Sequence, residues 1–227
     1  MKTKNPFARL SRFELIAWLS SIVIITVAFL LTSDDYLTLC TSLIGVTMLV
    51  FTAKGMIAGP VIGVVFAVCD GIISFFLSYY GEMITYLGMT APMSLASIIT
   101  WLRNPSKEED VVKVSRMTKK QVGLMALFAT LVTVAFFFIL RALGNDELIP
   151  STISITTSFV AVYFSMMRSP FYAIAYACND IVLIVLWVAA TLKNISYFPM
   201  VLCFVIFLVF DLYGFYNWKK LQKSQQE

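Results

Sequence analysis

Histidine is absent from the 227 residues, and charged side chains make up only 13% of them. Without histidine the chain lacks the usual general base and the commonest metal ligand, which excludes every catalytic arrangement that pairs a nucleophile with histidine. The four cysteines lie far apart in apolar stretches and show no Cys-x-x-Cys spacing, so they predict neither a disulfide framework nor a metal site. We therefore expect no enzyme, no metal and no other cofactor.

Apolar residues, by contrast, make up 59% of the chain, and the mean hydropathy is +0.85. A transmembrane helix needs about 20 mostly apolar residues. The sequence predicts an all-α membrane protein with eight transmembrane helices, which leave room only for short loops and tails. The eight apolar runs are residues 13–31, 36–52, 60–79, 83–102, 122–140, 150–167, 170–190 and 197–218.

The basic residues predict the orientation, because loops rich in Lys and Arg stay in the cytoplasm. With both termini inside, all but Arg141 and Lys193 of the 17 basic residues fall on the cytoplasmic side. We expect a multi-pass protein of the inner membrane with both termini cytoplasmic. The net charge of +4 then reflects topology, and we expect the lipid bilayer as a partner and no nucleic acid.

An offset of 110 residues aligns Pro60 with Pro170 and Asp70 with Asp180. This match predicts that spans two to four and six to eight are related triplets joined by the fifth span. One linking helix gives both triplets the same orientation, as in small sugar carriers of the SWEET type. The predicted segments are an N-terminal tail with an additional helix (1–35), the first triplet (36–102), a cytoplasmic loop with the linker helix (103–141), and the second triplet with a cytoplasmic tail (142–227).

Three carboxylates, Asp70, Asp180 and Asp211, lie at bilayer depth, where an ionisable group costs about 2.5–3.5 kcal/mol on insertion scales and needs a partner or a wet cavity. Each could form an interhelical hydrogen bond, but for Asp70 and Asp180 together we favour a central binding site. Asp180 and Trp187 share a helix face, which suits a flat and preferably cationic ring. The alternative for Trp187 is an aromatic belt at the outer interface.

Further polar side chains lie in the last span, and a proline interrupts the fourth. Tyr213 and Asn217 are four residues apart and share a helix face, so they offer a hydroxyl and an amide to the same region. An interfacial role near the cytoplasmic end is the alternative for Tyr213, as for Tyr216 and Trp218. Pro92 lies in the middle of the fourth span, where we expect it to bend the helix.

Several short motifs, in order along the chain from the second span onward, resemble those of the PnuC family of bacterial vitamin transporters. Each motif is short, and together they cover nearly the whole chain. They are Thr52-Ala53-Lys54-Gly55, Tyr80-Gly81-Glu82-Met83, Pro92-Met93, Trp101-Leu102-Arg103-Asn104, Asn179-Asp180 followed by Leu186-Trp187, and the ending from Tyr213 to Trp218.

The resemblance implies a SWEET-like 3+1+3 bundle with an extra N-terminal helix, carrying nicotinamide riboside into the cell by facilitated diffusion. It also implies a cytosolic nicotinamide riboside kinase that traps the substrate by phosphorylation, and a homo-oligomer, as a trimer. Together with the residue patterns, it predicts a substrate site lined by side chains of the third, fourth, seventh and eighth spans. These are Asp70, Ser94, Asn179, Asp180, Trp187, Tyr213 and Asn217.

Two departures from the family pattern touch this pocket. Carriers of nicotinamide riboside tend to show Trp-x-x-Trp in the penultimate helix, whereas Trp187 has Ile184 before it and Ala190 after it. They also often have Gln where this chain has Ser94. The substrate could therefore instead be thiamine or riboflavin. Two further alternatives are independent of these departures: a proton-coupled carrier that uses the buried carboxylate of Asp70 or Asp180, and a non-transporting subunit that captures the vitamin for a larger transporter.

Overall fold

The structure is a computed structural model, which describes residues 5–32, 36–76, 80–106, 111–145 and 147–226. Within these ranges, eight helices are long and apolar enough to cross a membrane. The expectation of eight transmembrane helices is thus confirmed, including the second and sixth spans, whose apolar runs are the shortest. The helices are α1 (Arg12–Thr32), α2 (Tyr36–Ala53), α3 (Ala58–Phe76), α4 (Tyr80–Leu102), α5 (Lys119–Ala142), α6 (Leu148–Met166), α7 (Phe171–Lys193) and α8 (Phe198–Ser224).

The start of α1 and the end of α8 lie side by side. The Tyr213 hydroxyl of α8 donates a hydrogen bond to Glu14 Oε1 of α1 at 2.8 Å. We call this end of the bundle the basic end and the opposite end the far end. The connections α2–α3, α4–α5 and α6–α7 also lie at the basic end. Its basic side chains include those of Lys54, Arg103, Lys113, Arg116, Lys119, Lys120, Arg168 and Lys219.

Buried apolar side chains form three clusters that divide the bundle. The first joins α1, α2 and α8 around Ile25, Val46 and Phe207. The second joins α4, α5 and α6, and the third lies at the basic end around Trp101 and Trp218. Helix α2 packs against α8, and α4 packs against α6. The first helix of each predicted triplet therefore touches the last helix of the other.

Helices α1 and α5 lie at the periphery. In α5 only Phe136 and Leu140 are buried, and the large apolar side chains of Leu127, Leu131 and Phe138 are exposed. Such a helix has few protein contacts, and its apolar surface suits lipid acyl chains. Helix α5 begins with a capping box at Thr118 and Gln121, whose side chains bond each other's backbone N–H groups.

Helix α4 changes register in its middle. Residues Tyr86–Thr90 form a π-helical turn, which ends directly before Ala91 and Pro92. Proline has no N–H to donate to the preceding turn, and its ring crowds the carbonyl four residues earlier. A π-turn at this place relieves that conflict, and such turns redirect side chains near functional sites. Tyr86, at the start of the turn, points to α3, where its ring meets Phe66 at 5.9 Å.

The loop before α5 crosses the basic end and is tied to several elements. Val112 N–H donates to the Gly55 carbonyl after α2, and Ser115 N–H donates to the Arg168 carbonyl after α6. Gln225, near the end of the chain, accepts a hydrogen bond from Val114 N–H at 2.8 Å. The loop therefore holds together the basic ends of both predicted triplets.

A buried carboxylate fixes α1 to the rest of the bundle. Glu14 is 3% exposed, and its Oε2 accepts hydrogen bonds from Lys54 Nζ and from Ser11 N–H, both at 2.6 Å. Its other oxygen accepts from Tyr213, as described above. One side chain of α1 thus contacts the end of α2 and the last part of α8.

Replacing Glu14 with Ala is expected to lower the free energy of unfolding by about 1.5–3 kcal/mol, because Lys54 and Tyr213 both lose their buried acceptor. The measurement is the apparent melting temperature of the detergent-purified protein. Glu147→Gln is the matched control, since Glu147 and its partner Lys193 are exposed and 3.9 Å apart, which makes their pairing worth little. Equal melting temperatures for the two variants would show that Glu14 does not anchor α1.

Candidate functional site

Helices α2 and α6 end in matching turns at the basic end. After α2, Gly55 N–H donates to the Thr52 carbonyl and Met56 N–H donates to the Phe51 carbonyl. After α6, Arg168 and Ser169 repeat this pattern with the Ser165 and Phe164 carbonyls. Gly55 and Arg168 both have a left-handed backbone, with φ of 72° and 56°. These are Schellman-type helix ends, which satisfy part but not all of the last-turn carbonyls.

Side chains of α8 donate further hydrogen bonds to the carbonyls at the end of α2. Trp218 Nε1 donates to the Thr52 carbonyl at 2.8 Å, and Asn217 Nδ2 donates to the Ala53 carbonyl at 2.7 Å. Trp218 is fully buried. Two consecutive residues near the end of α8 therefore hold the last two carbonyls of α2.

Side chains of α4 do the same for α6. Trp101 Nε1 donates to the Ser165 carbonyl at 2.9 Å, and Thr100 Oγ1 donates to the Met166 carbonyl at 2.8 Å. Each half of the bundle thus binds the other through a tryptophan and the residue before it. We call these four hydrogen bonds the reciprocal clasp.

Aromatic rings fill the space inside the reciprocal clasp. The rings of Trp101 and Trp218 lie 5.4 Å apart between centroids, and Tyr172 of α7 packs on Trp218 at 4.8 Å. Val112 from the crossing loop belongs to the same cluster and is 3% exposed. The clasp, the rings and the loop together close the basic end of the bundle.

One face of α7 carries polar groups from the clasp toward the bundle centre. Tyr172, Tyr176 and Asp180 are four residues apart and so lie along one face. The Asp180 carboxyl is in hydrogen-bonding contact with that of Asp211 on α8, and both residues are 3% exposed. Asp211 lies seven residues before Trp218, which places the pair about 10 Å above the clasp.

Two of these groups lack ordinary partners. Asp180 Oδ2 and the Tyr172 hydroxyl are buried and form no hydrogen bond with any donor or acceptor in the described residues. The Tyr172 hydroxyl faces α8 at Gly214, where a Cβ atom would lie only 3.0 Å from it. Buried polar atoms are normally paired, so unpaired ones point to a proton or ligand that completes them.

A second polar group comes from the first half of the bundle. Asp70 of α3 lies near Tyr86, Thr41 and Glu82. Tyr86 in turn lies near Tyr176 of α7, which is itself near Asp180 and Asp211. The two tyrosines therefore lie near carboxylates of both halves.

Asn179 is buried between α7 and α6. Its Oδ1 accepts hydrogen bonds from Ser154 and Thr157, each at 2.9 Å. Its Nδ2 donates to no described residue. The two hydroxyls therefore fix the orientation of the amide and leave two donors for another partner.

Of the predicted site residues, Asp70, Asn179 and Asp180 thus lie inside the bundle, each with its own set of polar neighbours. Ser94 on α4 is also buried and faces α3, 3.8 Å from the place where a Cβ of Gly63 would be. Its predicted contact with substrate stays a prediction.

The other three predicted residues lie elsewhere. Trp187 is at the far end, where its ring meets that of Tyr197 at 5.7 Å. Tyr213 binds Glu14 of α1, and Asn217 belongs to the reciprocal clasp. Tyr213 and Asn217 share a helix face, as expected. The neighbours of all three side chains, however, are protein groups at the two ends of the bundle. Direct substrate contact by these three also stays a prediction.

The turns after α2 and α6 match at an offset of 113 residues, whereas the sequence comparison uses 110. Three residues correspond to about 4.5 Å along a helix, close to one turn. Asp70 and Asp180 therefore lie on roughly the same side of their helices but not at the same depth.

Sequence reasoning did not assign functions to Trp101, Tyr172 or Glu14. Trp101 and Trp218 are recognisable as indoles near the ends of the fourth and eighth spans, but their partners are backbone carbonyls, which leave no mark in a sequence. Glu14 follows Arg12 and Phe13 at the start of an apolar run, so it looks like an interfacial residue. Asp211 was noted as a membrane carboxylate, but its pairing with Asp180 depends on helix rotation.

Comparison with known proteins gives the family. The sequence model of a family described as nicotinamide mononucleotide transporter matches residues 35–220, which is most of the chain and begins after α1. The chain belongs to this family. The resemblance found in the motifs is confirmed.

Two relatives are both named nicotinamide riboside transporter PnuC. The protein from Neisseria mucosa is 25% identical over 225 residues, covering 97% of this chain and 86% of the relative. The protein from Haemophilus influenzae is 24% identical over 214 residues, covering 93% of this chain and 91% of the relative. A crystal structure described as the vitamin B3 transporter PnuC matches with a TM-score of 0.80 at 25% identity, covering 95% of this chain and 94% of that one. This PnuC-family chain is therefore a multi-pass inner-membrane transporter and not an enzyme.

Removing one indole donor is expected to loosen the basic end of this transporter. Trp218→Phe and Trp101→Phe each remove one of the four clasp hydrogen bonds, so both should speed maleimide labelling of a Val112→Cys reporter by roughly 5- to 30-fold. The reporter is made in a background without the four native cysteines. Trp18→Phe is the matched control, since Trp18 Nε1 donates to Thr47 between α1 and α2, outside the clasp.

The reporter needs its own control, because access to the crossing loop could change for other reasons. Lys113→Cys, next to the reporter and already exposed, should react at one rate in all these backgrounds. The clasp has no closing role if Trp18→Phe speeds labelling of Cys at 112 as much as Trp218→Phe does.

Proposed function

We propose that this chain carries nicotinamide riboside across the inner membrane by facilitated diffusion. The observation that carries the proposal is a bundle closed at one end by the reciprocal clasp, beneath a buried layer of polar groups contributed by both halves. A closed end next to an interior polar layer is what a carrier with alternating access needs in one of its states.

The proposed moving parts are two triplets, α2–α4 and α6–α8, with α5 as linker and α1 as an addition. The matching turns after α2 and α6, the exchange of donors in the clasp, and the peripheral position of α5 all support this division. The family match, which begins after α1, supports the same division. Rocking of the triplets against each other would open the basic end by breaking the four clasp hydrogen bonds.

We place the basic end and both chain termini in the cytoplasm. This assignment rests on the concentration of Lys and Arg at that end, since basic loops are retained inside. In the conformation described here, the closed side of the transporter is then the cytoplasmic side.

Nicotinamide riboside is proposed as the substrate because both named relatives carry that name over nearly the full chain. Its ring is cationic and bears a carboxamide, which suits the free Nδ2 donors of Asn179 and the carboxylate of Asp180. Thiamine, which is also cationic, is the second candidate. The neutral ring of riboflavin fits the buried acids less well.

A passive carrier needs a reaction that consumes the substrate inside. We propose that a cytosolic nicotinamide riboside kinase fills this role, because phosphorylation adds a negatively charged phosphate, which a site containing buried acids does not accept. We propose from the family resemblance alone that the chain forms a homo-oligomer, and specifically a trimer.

In proteoliposomes containing only this chain, labelled nicotinamide riboside is expected to accumulate by counterflow against unlabelled substrate. Neither ATP nor an ion gradient should be needed, because rocking of the triplets requires no energy input beyond the substrate gradient. Liposomes without protein give the background. Transport that depends strictly on an ion gradient would contradict the passive mechanism, and no transport at all would favour a capture subunit.

Asn179→Ala is expected to weaken binding of nicotinamide riboside by roughly 5- to 100-fold, since it removes an oriented polar group from the site. Isothermal titration of the purified protein measures the effect. Asn104→Ala is the matched control, because the Asn104 amide lies at the basic end and donates to the Thr100 carbonyl at 2.8 Å. Normal affinity in Asn179→Ala would place the site elsewhere.

A further inference from the structure

The contact between Asp180 and Asp211 joins two buried acids without a basic partner. Neither carboxyl forms a salt bridge with a described Lys or Arg, and the two carboxyl groups contact each other. Two carboxylates in contact inside a bundle repel each other strongly when both are ionised. Such pairs share one proton, as two carboxylates at one site cannot both carry a charge.

A pair that holds one proton carries one negative charge at bilayer depth. A single buried charge is unfavourable there unless a partner offsets it. The unpaired Asp180 Oδ2 and the unpaired Tyr172 hydroxyl show that the described protein groups do not complete this region. Tyr172 and Asp180 lie on one face of α7, and the Tyr172 hydroxyl lies against Gly214 of α8 and near Asp211.

We propose that Asp180 and Asp211 act together as one monoanionic counter-ion, which selects substrates whose ring carries a single positive charge. This inference rests on the proposed function and adds a determinant of specificity to it. The shared proton stays between the two carboxyl groups, and the remaining negative charge faces the cationic ring. The Tyr172 hydroxyl is a hydrogen-bond donor that faces the same region. A neutral ring of the same shape would gain nothing from the pair.

The test compares ligands that differ in charge and little in shape. Nicotinamide riboside is cationic, whereas its reduced dihydropyridine form is neutral. Asp180→Asn and Asp211→Asn each retain one carboxylate and supply an amide N–H in place of the shared proton. Each single variant should therefore bind the cationic form within about threefold of the unchanged protein. The double variant has no charge and should bind it roughly 10- to 100-fold more weakly.

Affinity for the neutral form should be the same within about twofold in all variants, which also shows that the double variant keeps a folded pocket. Glu147→Gln removes one exposed negative charge at the far end and serves as the matched control. The proposal is overturned if the double variant binds the cationic form normally, if it loses both forms equally, or if one single variant is as weak as the double.

Thiamine and riboflavin extend the ligand panel so that the proposed function and this inference can fail separately. If the unchanged protein binds thiamine but not nicotinamide riboside, and the double variant loses thiamine, the substrate is wrong and the counter-ion is right. If the unchanged protein binds only neutral rings, the counter-ion is wrong.

A second measurement applies if the double variant does not fold. Infrared difference spectra of the unchanged protein with bound cationic ligand should contain one carbonyl stretch from a protonated carboxyl group, and either single Asn variant should lack it. The same band persisting in both single variants would overturn the shared proton.

Discussion

The structure depends on how backbone carbonyls are satisfied where two helices end. The last carbonyls of α2 and α6 have no partner within their own helices, and at the membrane boundary such groups are costly to leave unpaired. Each is bound by a side chain from the opposite half of the molecule. Because the donors are exchanged, each proposed triplet receives hydrogen bonds from the other at one of its helix ends. The hydrogen bonds that finish the local structure are therefore also the ones that close the basic end.

The same reasoning connects the clasp to the polar layer above it. Tyr172 packs on Trp218 at the clasp, and the face of α7 that begins with Tyr172 continues to Asp180. In the proposed mechanism, a movement of α7 relative to α8 would change both levels together. Opening of the basic end would then be coupled to rearrangement of the acid pair through one helix face. Helix α1, tied by Glu14 to α2 and α8, adds stability to the same end.

The apolar runs in the sequence were enough to predict the eight spans, whereas the neighbours of the site side chains became visible only in the structure. Eight spans follow from apolar runs, because the bilayer imposes a length that sequence displays directly. The location of Asn179 and Asp180 at mid-depth also followed from position in a span. Trp187, Tyr213 and Asn217 were harder, because residue spacing gives the face of a helix but not which neighbour that face meets. Hydrogen bonds to carbonyls, as in the clasp, involve an acceptor that every residue has.

The two turns after α2 and α6 differ in one respect that their shared hydrogen bonds conceal. Gly55 adopts its left-handed backbone without steric conflict, but Arg168 holds the same conformation with a side chain attached, at a cost of about 1–2 kcal/mol. The two turns therefore differ in backbone strain: the turn at Gly55 is unstrained, and the turn at Arg168 is strained in the conformation described here. The proposed duplication thus pairs two turns that share their geometry and differ in their energy.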